Sequence, residues 1–128
     1  MLAYARPEAL QERLATGNFA FAAFNGGVPV GYMEIRSCCT HICLLFVKKE
    51  YQRRGIARKL LELAVTECRA RGARAGFLDV NSSPYAVPVY EKLGFVKTGD
   101  EMTVKGIRFT PMKLELATWP WDTLKAES

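Results

Sequence analysis

The sequence predicts an α/β fold built on a mixed sheet. Three observations carry that expectation. Strand-like apolar runs alternate with helical patterns in the middle of the chain, turn signals for hairpins stand near both ends, and one long amphipathic helix separates the two central runs. With 128 residues, 49% of them hydrophobic, the chain has apolar content for a single domain spanning 1–128.

An N-terminal helix is expected within residues 1–17, over 7–15. Pro7 suits its opening turn, Leu10 and Leu14 share a face, and Gly17 stands where a C-terminal cap is wanted. Residues 18–24 read as a strand, and Asn25-Gly26-Gly27 supplies the turn into a second strand over 28–37, rich in β-branched residues. A third strand covers 41–47. The longest helix covers 54–71, with Ile56, Leu60, Leu61, Ala64, Val65 and Cys68 as its apolar stripe and Gly72 just past its end. A strand over 76–80 follows, then a break at Asn81-Ser82-Ser83-Pro84 and a short helix over 86–93 that tolerates Pro88 near its start. A hairpin of 95–104 and 107–116 turns at Lys105-Gly106, and the tail 117–128 carries Trp119, Pro120 and Trp121.

Composition narrows the function. No apolar run approaches the ~20 residues that span a bilayer, and the start Met1-Leu2-Ala3-Tyr4-Ala5-Arg6-Pro7 lacks the layout of a secretory signal. A cytoplasmic protein without membrane association is expected. The net charge of +5 is scattered among acids with no arginine-rich tail, which argues against a nucleic-acid partner and for a smaller polyanion. Cys38, Cys39, Cys43 and Cys68 form no Cys-x-x-Cys pair, so neither a disulfide framework nor a redox motif is indicated. Cys39, His41 and Cys43 alternate along a strand and invite a zinc reading. At ~3.3 Å per residue the two thiols would stand ~13 Å apart, too far to share a tetrahedral ion, and no metal is expected.

The junction Gln52-Arg53-Arg54-Gly55-Ile56-Ala57 carries the most information, because an apolar strand there hands over to the amphipathic helix. Glycine and alanine let a ligand approach the backbone, the first amides of a helix are free, and the helix dipole favours negative charge. Arg53 and Arg54 add attraction for an anion. The same residues also fit a plain solvated helix start. Downstream, Tyr90-Glu91-Lys92-Leu93-Gly94-Phe95 places a tyrosine on a short helix before a Leu-Gly-Phe that opens the next strand.

Together these two segments, in this order and spacing, resemble the hallmarks of the GNAT N-acetyltransferase superfamily, over about 19–116. The resemblance implies acetyl-CoA as cosubstrate, its pyrophosphate on Gln52, Arg53, Arg54, Gly55, Ile56 and Ala57, with Arg58 as a further charge partner. It implies a GNAT-type mixed, mostly antiparallel sheet with flanking helices, whose two central parallel strands, here those ending near Val47 and Val80, splay apart around the pantetheine arm. Backbone amides of Leu45, Phe46 and Val47 would bind that arm and polarise the carbonyl. Family members usually carry another strand and helix at the front. A shortened front is therefore expected, and with the tryptophan-containing tail it favours a homodimer.

Acetyl transfer needs a neutral amine, a polarised thioester, a stabilised oxyanion and a proton for the departing thiolate. The resemblance gives the last role to Tyr90, whose phenol with an ordinary pKa of ~10 is protonated at neutral pH; a tyrosine on a short amphipathic helix also fits core packing. His41, the only histidine, stands eleven positions before Gln52, where some relatives place a base. It also fits a solvated strand edge. Glu34 and Asp79 are alternative bases or structural ion-pair partners. Asn81 and Ser83 lie where relatives touch the cofactor. The expected function is transfer of acetyl from acetyl-CoA to a primary amine, on a small molecule or a protein, by direct attack in a ternary complex. The alternative is a catalytically weak acyl-CoA-binding or sensing domain.

Overall fold

Two glycines set the first hairpin: Gly26 and Gly27 sit at φ 59° and 84°, the left-handed pair that a two-residue turn between right-twisted strands requires. The computed structural model describes residues 2–6, 17–72 and 76–116. It divides into two units, Met1–Arg74 and Ala75–Ser128.

In the first unit, β1 (Leu2–Ala5), β2 (Phe19–Asn25), β3 (Val28–Ile35) and β4 (Ile42–Val47) form a four-stranded sheet in chain order. β1 is a strand that the sequence pattern did not reveal. Four residues with two half-buried positions give too little alternation to register, and only the ladder from Leu2 opposite Asn25 to Ala5 opposite Ala22 makes it a strand. The helix expected over 7–15 lies outside the described residues.

Helix α1 (Ile56–Ala70) packs on β2, β3 and β4 through the expected stripe, Ile56, Leu60, Leu61, Ala64, Val65 and Cys68 all being buried. Its first turn lies directly over β3. A Cβ on Gly31 would come within 2.9 Å of the Ile56 Cγ2, a stiff β-branched side chain, so only glycine lets the helix start this close to the sheet. At the other end Arg71 ties the helix down: its guanidinium lies 4.2 Å from the Phe19 ring centroid, donates to the Gly17 carbonyl at 3.0 Å and pairs with Glu67 at 2.9 Å.

The second unit holds β5 (Phe77–Ser82), helix α2 (Val87–Leu93), β6 (Val96–Lys97), β7 (Met102–Val104) and β8 (Ile107–Glu115). Its sheet runs β5-β8-β6, with β7 also on β8. The expected strand over 95–104 is broken into β6 and β7, and Pro111 explains the break. Pro111 has no amide for the ladder, and Thr98 donates to its carbonyl at 2.9 Å, so the missing donor faces the gap between β6 and β7. Lys105 and Gly106, at φ 51° and 80°, make the expected turn. The tail 117–128 lies outside the described residues.

The expected mixed sheet with splayed central parallel strands is not what forms. Every pairing among the described residues is antiparallel, and the strands ending near Val47 and Val80 belong to two separate sheets. The reason lies in which partner each strand finds. β4 closes a short connection back onto β3, and β5 is matched along its whole length by β8, from Phe77 opposite Glu115 to Ser82 opposite Thr110. Each is therefore an edge strand with one antiparallel neighbour.

Candidate active site

In the first unit the segment between β4 and α1 is shaped by two left-handed residues, Arg53 at φ 65° and Gly55 at φ 79°. Gly55 is the N-cap of α1, and it brings no side-chain cap; nor does the first turn contain an acid. The first internal bond of the helix runs from the Lys59 amide to the Gly55 carbonyl at 3.0 Å, which leaves the amides of Ile56 and Ala57 outside the ladder. Ile56 buries its side chain in the core while its amide belongs to this free turn. Alternating left-handed residues turn successive amides into a concave, anion-favouring nest.

Arg53 and Arg54 are exposed and make no ion pair among the described residues. Arg54 lies over the Tyr51 ring at 5.1 Å, and Tyr51 in turn accepts a 2.6 Å hydrogen bond from the Asn25 side chain at the end of β2. Tyr51 and Asn25 thus hold the loop from behind, a role the sequence reading missed; an aromatic residue immediately before an arginine-rich loop was the available signal. Arg58 pairs with Glu62 at 3.2 Å, one turn along the helix. Gln52 turns back and donates from its side-chain amide to the Val47 carbonyl at 3.1 Å, so its side chain fastens the loop to β4.

The register of β4 separates the three expected backbone groups. Lys48 donates to the Val30 carbonyl at 2.9 Å, and Gly31 stands opposite Val47. Alternation along the ladder then turns the amide of Phe46 toward β3 and those of Leu45 and Val47 toward the outer edge. Among the described residues β4 pairs with β3 alone, so these two amides face an open edge. His41 stands just before β4, where its carbonyl takes the Arg36 amide at 3.0 Å. Its ring is half-buried, and along the strand it lies ~20 Å from Val47.

In the second unit Tyr90 is buried on α2, its ring 5.2 Å from Phe95 in an edge-on contact. The backbone explains the position: Gly94 at φ 106° ends the helix and lets the Phe95 amide return to the Tyr90 carbonyl at 3.0 Å. Among the described residues the Tyr90 hydroxyl has no hydrogen-bond partner, an unusual state for a buried phenol. Burial also pushes its pKa above the ordinary value, so the proton stays on the oxygen throughout the neutral range. Asn81 is exposed on β5. Ser83 has a local occupation: its hydroxyl and carbonyl take the Ala86 amide at 3.3 and 3.1 Å. Asp79 sits directly opposite Lys113 in the β5–β8 register, half-buried on the strand.

No three His, Cys, Asp or Glu side chains gather as a metal site among the described residues, and no described helix is long and apolar enough to cross a membrane.

A family model for the acetyltransferase (GNAT) domain matches residues 2–116. The chain is 41% identical over 59 residues to the acetyltransferase Atu2258 of Agrobacterium fabrum (strain C58 / ATCC 33970). That match spans 46% of this chain and 42% of the relative, less than half of its length. Among solved structures, a GCN5-related N-acetyltransferase (aminotransferase, class-II) from Rhodopseudomonas palustris superposes with a TM-score of 0.67 at 27% identity, covering 86% of this chain and 69% of that one. The PaiA N-acetyltransferase of Thermoplasma acidophilum, solved in complex with coenzyme A, shares the fold with a TM-score of 0.62 at 19% identity, covering 84% and 65% of the two chains.

Proposed function

The chain belongs to the GNAT acetyltransferase family, and we propose that it moves an acetyl group from acetyl-CoA to a primary amine by direct attack in a ternary complex. The observation that carries this reading is the start of α1: a helix opened by glycine, without a side-chain cap or an acid in its first turn, beside two arginines that make no ion pair among the described residues. Such a turn suits a diphosphate. The buried Tyr90 hydroxyl, without a hydrogen-bond partner among the described residues, is the second feature that fits the cosubstrate.

When bound, acetyl-CoA supplies an acyl group already activated as a thioester. The chain's own residues then have distinct tasks. The amides of Ile56 and Ala57, with Gly55 leaving room, hold the diphosphate, and Arg53 and Arg54 raise the local positive potential. Gln52 keeps this turn against the end of β4. The outward amides of Leu45 and Val47 receive the extended arm along the strand edge, whereas Phe46 contributes through its side chain. Tyr90 holds a proton on its hydroxyl for the departing sulfur, and Asn81 adds a polar contact from β5. His41 accepts the proton of the amine through water. The protein works in the cytoplasm without a metal, nucleic acid or membrane, as a homodimer.

Thermal unfolding tests this reading. A ligand at ~100 times its dissociation constant adds about 2.7 kcal/mol of stability. Acetyl-CoA and CoA are expected to raise Tm, and inorganic pyrophosphate at the same charge is expected to do so far less. A folded protein whose Tm ignores both coenzymes would refute it.

A further inference from the structure

On one face of the first sheet, four side chains meet in two directly opposed pairs. Tyr32 stands opposite Phe46, and Glu34 opposite Leu44. Residues opposed in an antiparallel ladder project to the same face, so the four form one patch across β3 and β4. Its apolar half is open: Leu44 and Phe46 are each 51% exposed, unusual for large hydrophobic side chains placed side by side. The neighbours on β2 in the same rows are Ala20 and Ala22, whose small side chains leave Tyr32 and Glu34 standing above them.

The polar half is an oriented anion. Glu34 is half-buried, and its two oxygens are fixed separately, Oε1 by the Tyr32 hydroxyl at 3.2 Å and Oε2 by the Asn18 side-chain amide at 3.4 Å. Both donors are neutral. No cation lies within ion-pair distance of this carboxylate among the described residues. Arg36, two residues on, lowers the Cys43 thiol pKa against the larger opposing effect of burial. The phenol of Tyr32 is pushed up to about 12 by burial first, then by the charge and hydrogen bond of Glu34, so it remains a donor and never a competing anion at neutral pH. A carboxylate held in a fixed direction by neutral donors, beside an open apolar surface, suits a cationic ligand with an apolar segment.

We infer that this patch is the acceptor site: Glu34 binds the ammonium of the incoming amine, and Leu44 and Phe46 carry its hydrocarbon part. The inference rests on the proposed acetyl transfer and adds the class of acceptor, a cationic amine with an adjoining alkyl or aryl segment. The position is apt for that reaction. Leu44 is the chain neighbour of Leu45, whose amide faces the outer edge of β4, and Glu34 lies one strand spacing, ~4.8 Å, further in. Glu34 is here a binding group for the acceptor, held ready by Tyr32 and Asn18.

The test needs no turnover. Phenethylamine and phenethyl alcohol have the same shape and differ in charge at pH 7, so their dissociation constants, measured by calorimetry or by shifts of the Leu44 methyl resonances, report the counter-charge directly. The wild-type protein is expected to prefer the amine at least tenfold, Glu34→Gln to lose that preference, and Glu34→Asp to keep part of it. Leu44→Ser is expected to weaken both probes together. Equal affinity for the two probes in the wild type, or a preference that survives in Glu34→Gln, overturns the inference. If Glu34→Gln does not fold, the Leu44 methyl shifts in the wild type still decide. The Tm response to acetyl-CoA, recorded on the same samples, reports separately on the proposed reaction.

Discussion

Among the described residues a strand twice hands over to a helix, and the two junctions are finished differently. Between β5 and α2, Ser83 folds its hydroxyl and carbonyl onto the Ala86 amide, and Pro88 in the first turn has no amide to satisfy. Ala86, the N-cap of α2, brings no side-chain cap either, so what this start has of its own is a bonded Ala86 amide and one amide fewer at Pro88. Between β4 and α1 the cap is Gly55, which offers no oxygen, the first turn contains no acid, and exposed arginines stand alongside. A free helix start is compensated by water or by a ligand. The contrast shows that an uncapped helix opening after a strand is common architecture, and that the left-handed Arg53 and Gly55 with the exposed arginines are what make one of them a candidate anion site.

The sharpest way to break this comparison is to change one residue at each junction. Gly55→Asp puts a carboxylate where the phosphate charge belongs. Because nothing lies within 4 Å of a Cβ built there, the fold should survive, with a cost of about 1–2 kcal/mol from the left-handed backbone. Acetyl-CoA binding measured by calorimetry is expected to vanish. Ser83→Ala is the counterpart: a loss of about 0.5 kcal/mol in chemical denaturation, since the Ser83 carbonyl still holds the Ala86 amide, with acetyl-CoA affinity unchanged. Equal effects of the two changes on affinity would show that α1 is not the special junction.

Tyr90→Phe sharpens the α2 side of the comparison. If the buried hydroxyl is the proton donor, kcat should fall about a hundredfold while the KM for acetyl-CoA stays within twofold. A purely packing role would leave kcat in place. The raised pKa has its own signature. Above pH ~10 the unfolded chain releases the phenol proton and the folded chain keeps it, so stability is full below that value and falls as pH rises beyond it. Tyr90→Phe should lose Tm less steeply than the wild type between pH 10 and 11.

Much of this was legible in local pattern. The glycine turn after β2, the apolar stripe of α1 and the Lys105-Gly106 turn are short-range chemistry, and each formed within a residue or two of its expected bounds. Sheet partnership was not legible, because which strand completes the β5 ladder depends on β8, about thirty residues further along the chain. The parallel expectation failed there. The same limit governs the site. Sequence could name Leu45, Phe46 and Val47 together, but only the register separates the outward amides from the inward one. It could name Glu34 as a charged strand residue, while its two neutral donors and its placement opposite Leu44 are facts of three dimensions.

The smallest expected effect concerns Arg53, and it asks why an arginine occupies that position at all. At φ 65° a long L side chain is strained, and glycine or asparagine would take up the same backbone more cheaply. The side chain is exposed and contacts no partner among the described residues, so nothing in the fold repays the strain. An advantage in ligand capture would. Arg53→Asn should therefore leave Tm unchanged or slightly higher, because asparagine tolerates this conformation. Affinity for acetyl-CoA should drop only about threefold to fivefold, the usual scale of an exposed charge, and its dependence on salt should flatten. A rise in Tm together with an unchanged salt dependence would remove Arg53 from the anion site and leave the amides of Ile56 and Ala57 to account for it alone.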